Sequence, residues 1–330
     1  MWRNAASAVL LTGLVLSVQI DEASSLTTPD VPSELVSPYQ QYDLKLRAFY
    51  PAPHRPAGVL LPVRINGGTP LRLVLDSGAE MIVIGTKAAR PAGLSAESEL
   101  ELVGLGSTPA GVGRAETVEI GPISFRNCRV AMVEGRVIEG ADGVIPLSLF
   151  SAFLLRLNLP EKTLGLIPYP HDKNRAIAPT RGFRKQDLLL VPTVLNGKQS
   201  GYVVLDTGAY CSAISCEAAR TLGGFPIAPK VLLTAGTGAA TGQRVSSPVH
   251  FGLAAQDLIP GDVVAIDLSN LSRHYGVEVM GVLGFPELRN YILTIDYRNG
   301  EVKFEPPQRI SARDQHFGPN IKSPAAVVLH

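Results

Sequence analysis

Leu73-Val74-Leu75-Asp76-Ser77-Gly78-Ala79 returns later in the chain, with two changes, as Val203-Val204-Leu205-Asp206-Thr207-Gly208-Ala209. Each copy is an apolar, strand-forming run that ends in a carboxylate. A lone Asp-Ser/Thr-Gly arises by chance about once in several chains of this length, and alone it reads as a turn at a strand end. Two copies that share the apolar run before it and the alanine after it read as an internal duplication. Two aspartates on matching loops of two such units can meet across a pseudo-twofold axis and share a proton.

The duplication extends outward from the two phrases. Some thirty residues beyond each aspartate lies a glycine-rich stretch, Val103-Gly104-Leu105-Gly106-Ser107 and Thr234-Ala235-Gly236-Thr237-Gly238. Further on come Gly143-Val144-Ile145-Pro146 and Gly281-Val282-Leu283-Gly284. Each is followed by an alternating run, 153–159 or 291–297, then a turn and a second run, 163–166 or 301–304. Short runs of period two between Gly, Pro and Asn turns predict strands throughout, so the protein is expected to be mostly β.

These residues resemble the aspartic peptidases, and most closely the retropepsin-like branch found in bacteria. Ala after Asp-Thr-Gly, halves of about 120 residues or less and the Gly281–Gly284 step carry the likeness. The resemblance covers about residues 58–168 and 186–305 and implies an all-β fold. It implies two homologous retropepsin- or pepsin-like β-barrel lobes, related by a pseudo-twofold axis, with the active site between them. Residues 1–25 are then a signal peptide or N-terminal anchor, 26–57 a linker, first edge strand or propeptide, 169–185 an inter-lobe linker and 306–330 an irregular tail. Both aspartates lie in one chain, so a monomer suffices. Pro146 stands where the second copy has Gly284. Pro lacks a backbone donor and has a fixed φ, so the first copy of that step is expected to bend differently and the first half to be the more degenerate.

By the same resemblance, Asp76 and Asp206 are the catalytic pair: one, ionised, takes a proton from a bound water while the other, protonated, polarises a peptide carbonyl. Ser77 and Thr207 tie the two loops together, and Gly78 and Gly208 allow the tight backbone turn. Gly104, Leu105, Gly106, Gly236, Thr237 and Gly238 read as the tips of flap hairpins closing over a polypeptide substrate, with plain surface hairpins the competing reading. A dinucleotide fingerprint is excluded there, because strands at 115–120 and 244–251, and no apolar-periodic helix, follow. A noncatalytic peptide-binding or inhibitor-like protein is the alternative function. Retention of both Asp, both hydroxyl and both Gly residues favours catalysis.

Composition narrows the remaining classes. At 330 residues the chain can bury a substantial core, and 32 Gly with 26 Pro suit a turn-rich β protein. The formal charge of +1 comes with no basic stripe, so no nucleic-acid partner is expected. The six histidines have no metal-ligand spacing and no Gly-x-Ser-x-Gly elbow is present, so neither a metal nor another cofactor is implied. Arg3 precedes an uncharged apolar run over residues 5–20, and small residues at 23 and 25 suit a cleavage point. Export to the periplasm or medium is expected, with membrane attachment only if that segment stays uncleaved. Of the three cysteines, Cys211 and Cys216 can close a small loop or be buried as small hydrophobes, and Cys128 is left over.

Overall fold

The computed structural model describes residues 33–51, 56–169, 188–222, 230–235, 237–245, 247–253 and 256–306, with the backbone of 9–10, 17–19, 180–181 and 183–185. Within them, each repeat contains a run of seven strands in one and the same order. In the first repeat the order is Ser98–Val103, Ser107–Ile120, Ile123–Val133, Ile82–Gly85, Gly143–Pro146, Leu71–Asp76 and Gly58–Ile65. In the second it is Lys230–Ala235, Gly238–Val245, Val263–Ile266, Ser212–Ser215, Val279–Gly284, Gln199–Asp206 and Leu188–Leu195.

Local sequence explains the matched starts. Gly58–Ile65 and Leu188–Leu195 both bury their first four residues and then every second one. A strand covered on both faces reads as a continuous apolar run, and one with a solvated face alternates. Each then turns through Asn-Gly. Asn66 and Gly67 have φ of 50° and 69°, Asn196 and Gly197 of 48° and 65°, and the amides of Gly68 and Lys198 donate to the carbonyls of Ile65 and Leu195. Such a turn needs positive φ at both central positions, which Asn and Gly accept.

The strand leaving each turn delivers the aspartate. Leu71–Asp76 runs parallel to Gly143–Pro146, with Asp76 opposite Pro146, and Gln199–Asp206 runs parallel to Val279–Gly284, with Asp206 opposite Gly284. The expected difference in bend is therefore not found. Pro146 has φ −69° and ψ 138°, and Gly284 φ −86° and ψ 172°, both extended. What differs is the hydrogen bond: the amide of Gly284 donates to Ser212 Oγ at 3.1 Å. At the matching places the first lobe has Pro146, with no donor, and Ile82, with no acceptor, so nothing is left unpaired. The strand expected over 244–251 also differs, ending at Val245 and resuming at Phe251, with Pro248 between them.

The two lobes share a third sheet. The hairpin of Phe153–Asn158 and Thr163–Pro168 joins that of Ile292–Asp296 and Glu301–Glu305 edge to edge, with Leu155 opposite Ile295 and Leu157 opposite Leu293. Tyr42–Lys45 and Thr180–Arg181 complete its six strands. Arg47–Phe49 pairs instead with Gly58–Ile65, and Leu44, Leu46 and Phe49 are buried, so residues 42–49 of the stretch read as linker, edge strand or propeptide are strands of the folded body. One hydrophobic cluster passes beneath all of this and holds residues of both repeats, among them Leu157, Phe153, Leu293 and Tyr297. Of the N-terminal segment read as a signal or anchor, only two short strands are described, Val9–Leu10 beside Lys230–Ala235 and Ser17–Gln19 beside Ser98–Val103. The tail beyond 306 lies outside the described residues.

Candidate active site

The two Asp loops are tied by a reciprocal set of four hydrogen bonds. The Ser77 hydroxyl donates to the Leu205 carbonyl at 2.7 Å and accepts from the Thr207 amide at 3.0 Å. The Thr207 hydroxyl donates to the Leu75 carbonyl at 2.7 Å and accepts from the Ser77 amide at 3.0 Å. A hydroxyl both donates and accepts, so one Ser and one Thr satisfy two buried backbone groups on each side of the axis. Neither residue could do this within its own lobe.

Between the loops lie Asp76 and Asp206, both with no exposed surface. In each, Oδ1 accepts from the amide two residues on, Gly78 at 2.7 Å and Gly208 at 2.8 Å. Each Oδ2 has no donor from outside the pair, and the two side chains are within hydrogen-bond reach of each other. Two carboxyls this close can hold one proton between them. Burial raises both carboxyls well above the ordinary value of 3.8, and for Asp206 the charge of Asp76 raises it further. Like charges this close in a dry site cannot both ionise, so the pair holds one proton to higher pH than either acid alone would.

Gly78 and Gly208 serve a different purpose from the one expected. Neither has positive φ, so the turn does not demand glycine. Space does. A Cβ on Gly78 would lie 2.7 Å from Asp206 Cγ, and one on Gly208 would lie 2.5 Å from Asp76 Oδ2. Each glycine is thus the floor on which the opposite carboxyl rests.

A further pair was missed in the sequence. The residue four places after each aspartate reaches into the other lobe. Glu80 Oε1 accepts from the hydroxyl of Tyr275 at 2.9 Å, on the helix Ser269–Tyr275 that only the second lobe carries at that place. Tyr210 packs among the first lobe's Phe49, Val74, Ala79 and Met81, its ring centroid 6.3 Å from that of Phe49. The equal offset from both aspartates was the available signal, but Glu and Tyr share no chemistry that would mark them as equivalent.

Above the loops, Ser98–Val103 with Ser107–Ile120, and Lys230–Ala235 with Gly238–Val245, form the two expected hairpins. Their tips meet: a Cβ on Gly106 would lie 2.9 Å from the Thr237 carbonyl oxygen and 3.5 Å from Gly238 Cα. The Gly104 amide closes the first tip on the Gly106 carbonyl at 2.8 Å, and Leu105 packs against the second lobe's cluster around Leu188, Ala209 and Tyr275. In the second tip Thr237 is wholly buried, Gly238 has φ 129°, and Gly236 lies outside the described residues. Cys211, buried beside the second Asp loop, and Cys216, opening the helix Cys216–Thr221, are not joined in a disulfide, so they close no small loop.

Residues 61–148 match the family model described as aspartyl protease. That match falls on the copy Pro146 had marked as the more degenerate, in keeping with the undisturbed path of its strand. Among solved structures, the aspartic proteinase from Irpex lacteus is similar over 82% of this chain and 99% of its own, with a TM-score of 0.51 and 13% identity. Among curated protein sequences, none matches. Fold and paired loops together give a two-lobed, mostly β body with the fold of that aspartic proteinase. Its first lobe carries the resemblance to the retropepsin-like aspartyl proteases.

Proposed function

We propose that the protein is an aspartic endopeptidase that hydrolyses peptide bonds with a water activated between Asp76 and Asp206. The observation that carries this reading is the pair of buried carboxyls, each supported by its own loop amide and within hydrogen-bond reach of the other. The ionised member takes a proton from water as the oxygen attacks the scissile carbonyl. The protonated member donates to the carbonyl oxygen, and the pair then returns a proton to the leaving amine. Four cross-lobe hydrogen bonds hold the carboxyls still, so little reorganisation is needed on the way to the transition state. Flap tips that meet over the site exclude water and leave room for an extended chain only after they part. The uncharged N-terminal run supports an exported enzyme, acting as a monomer.

The test is cleavage of a diverse peptide mixture by the full chain from about pH 3 to 8, beside Asp76→Asn and Asp206→Asn. Endopeptidase products that vanish in both variants are expected. A folded wild type that binds peptides without cutting them at any pH would turn the reading to a noncatalytic peptide-binding protein. The kcat/KM profile should be bell-shaped, with its alkaline limb displaced toward neutrality because burial raises both carboxyls.

A further inference from the structure

A hollow of about 380 Å³ lies outside the Asp phrases and the flaps, none of whose residues lines it. Both repeats build it. Gly58 and Val59 come from the strand Gly58–Ile65, Leu159 and Lys162 from the turn between Phe153–Asn158 and Thr163–Pro168, Phe285 from the helix Phe285–Leu288, and Arg289 from just beyond that helix. Gly58, Val59, Leu159 and Phe285 are buried and give an apolar floor, whereas Lys162 and Arg289 are exposed at the rim. No carboxylate is among the described residues that line it. Glu287, on the same helix, is engaged elsewhere and accepts from the Gly261 amide at 3.3 Å. Arg72, Arg136, Arg156, Arg220 and Arg244 each have a carboxylate within ion-pair distance, but among the described residues Lys162 and Arg289 have none.

We propose that this hollow binds a small organic carboxylate with an apolar body, the body resting on the floor and the carboxylate meeting Lys162 and Arg289. Its size falls in the range of small-molecule sites, roughly 300–1,000 Å³, and such sites combine apolar walls with a few polar groups that fix orientation. A guanidinium offers a carboxylate two parallel N–H donors, and an ammonium on a flexible stem adds a second charge. A ligand with the charge but no body, or the body but no charge, would use only part of the site. The floor also backs the loop that carries Asp206. The Phe285 amide donates to the Ala209 carbonyl at 2.9 Å, and a Cβ on Gly58 would lie 3.5 Å from the Thr207 carbonyl oxygen. An occupant therefore packs on residues that touch the second Asp loop, and its binding does not depend on whether the protein cuts peptides.

The test is calorimetric titration of hexanoate into the full chain at low ionic strength, with hexylammonium, hexanol and inorganic phosphate as controls. Hexanoate should bind and raise the unfolding temperature, and each control should bind at least about tenfold more weakly. Lys162→Gln and Arg289→Gln should each weaken hexanoate by roughly threefold to tenfold, and the two together by more, with the unfolding temperature of the unliganded protein unchanged. On the wild type alone, added salt should weaken hexanoate. Asp76→Asn should bind it as wild type does, so a failure of the peptidase reading and a failure of this one are read separately. N-acetyl-leucyl-leucine beside its amide tells the source: binding of the acid alone assigns the site to peptide carboxyl ends, and binding of neither assigns it to aliphatic acids. Absence of hexanoate binding would overturn the proposal, as would equal affinity in the double variant or affinity indifferent to salt. Hexylammonium or phosphate binding as tightly as hexanoate would do the same, the first by showing that charge is not read and the second that the floor is not used.

Discussion

At the scale of single residues, the site is held by contacts that each lobe makes on the other's chain. Gly78 and Gly208 illustrate it, since the groups their missing side chains make room for are 128 and 132 positions away in Asp206 and Asp76. Ala at either position should displace the opposite carboxyl by several tenths of an ångström or more, and kcat/KM is expected to fall on the order of 100-fold while the protein stays folded. Peptide kinetics alongside circular dichroism checks this, and a Gly78→Ala enzyme of normal rate would show that the carboxyl is not so confined. The Thr207 hydroxyl is the test of the hydrogen-bond set. Thr207→Val strands the Ser77 amide and the Leu75 carbonyl in a buried place, a loss of roughly 2–4 kcal/mol in denaturant unfolding. The carboxyls themselves should oppose folding at high pH. Their native values lie above 3.8, so the native state binds more protons than the unfolded chain over that window and stability falls as pH rises through the native values. Asp206→Asn is then expected to unfold at a higher temperature than wild type at pH 8, with the gain gone near pH 4. A gain of equal size at both values would contradict the burial argument.

At the scale of elements, the flaps are the hairpins whose role the sequence left most open. Glycine-rich tips between strands were readable, whereas their meeting was not, because contact between Gly106 and the Thr237–Gly238 backbone depends on how the two lobes are set against each other. Gly106→Val should keep the tips apart. KM is expected to rise severalfold more than kcat falls, since closure over the chain and not the carboxyl pair is disturbed. Unchanged KM would mean that the tips need not meet during turnover. The Asn-Gly turns before each Asp strand are equally legible in the sequence. Asn66 and Asn196 stand ten residues before their aspartates, which carries the repeat back through the first hairpin of each lobe. The effect of Pro146 depends on a partner strand that the local sequence does not reveal. Paired with Ile82, where the second lobe pairs Gly284 with Ser212, Pro146 removes a donor and an acceptor together.

At the scale of the molecule, the lobes are one cooperative body. Hairpins from both join in a six-stranded sheet, a single apolar cluster runs through both, and the Asp loops exchange four buried hydrogen bonds. Tyr169 at the end of the first lobe adds a clamp, donating to Asp296 at 2.9 Å beneath the Arg298 guanidinium, which lies 3.6 Å from its ring centroid. Calorimetry should therefore show one unfolding transition, with the calorimetric and van't Hoff enthalpies in agreement. Two separated transitions would show that the lobes fold independently and that the shared sheet contributes little.

What the amino-acid sequence determined by itself was everything that repeats at short range: two Asp phrases, strands of period two, turns of Gly and Asn, and the duplication that joins them. These signals are legible because backbone geometry and side-chain alternation act over a few residues. Only the tertiary structure decided how the copies meet. It set Gly78 against Asp206, crossed Glu80 and Tyr210 into opposite lobes, closed Gly106 on Thr237 and drew residues 42–49 into the folded body. Those contacts join residues far apart in the chain whose types carry no mark of each other, and they follow from the relative placement of two packed lobes, which no local pattern encodes.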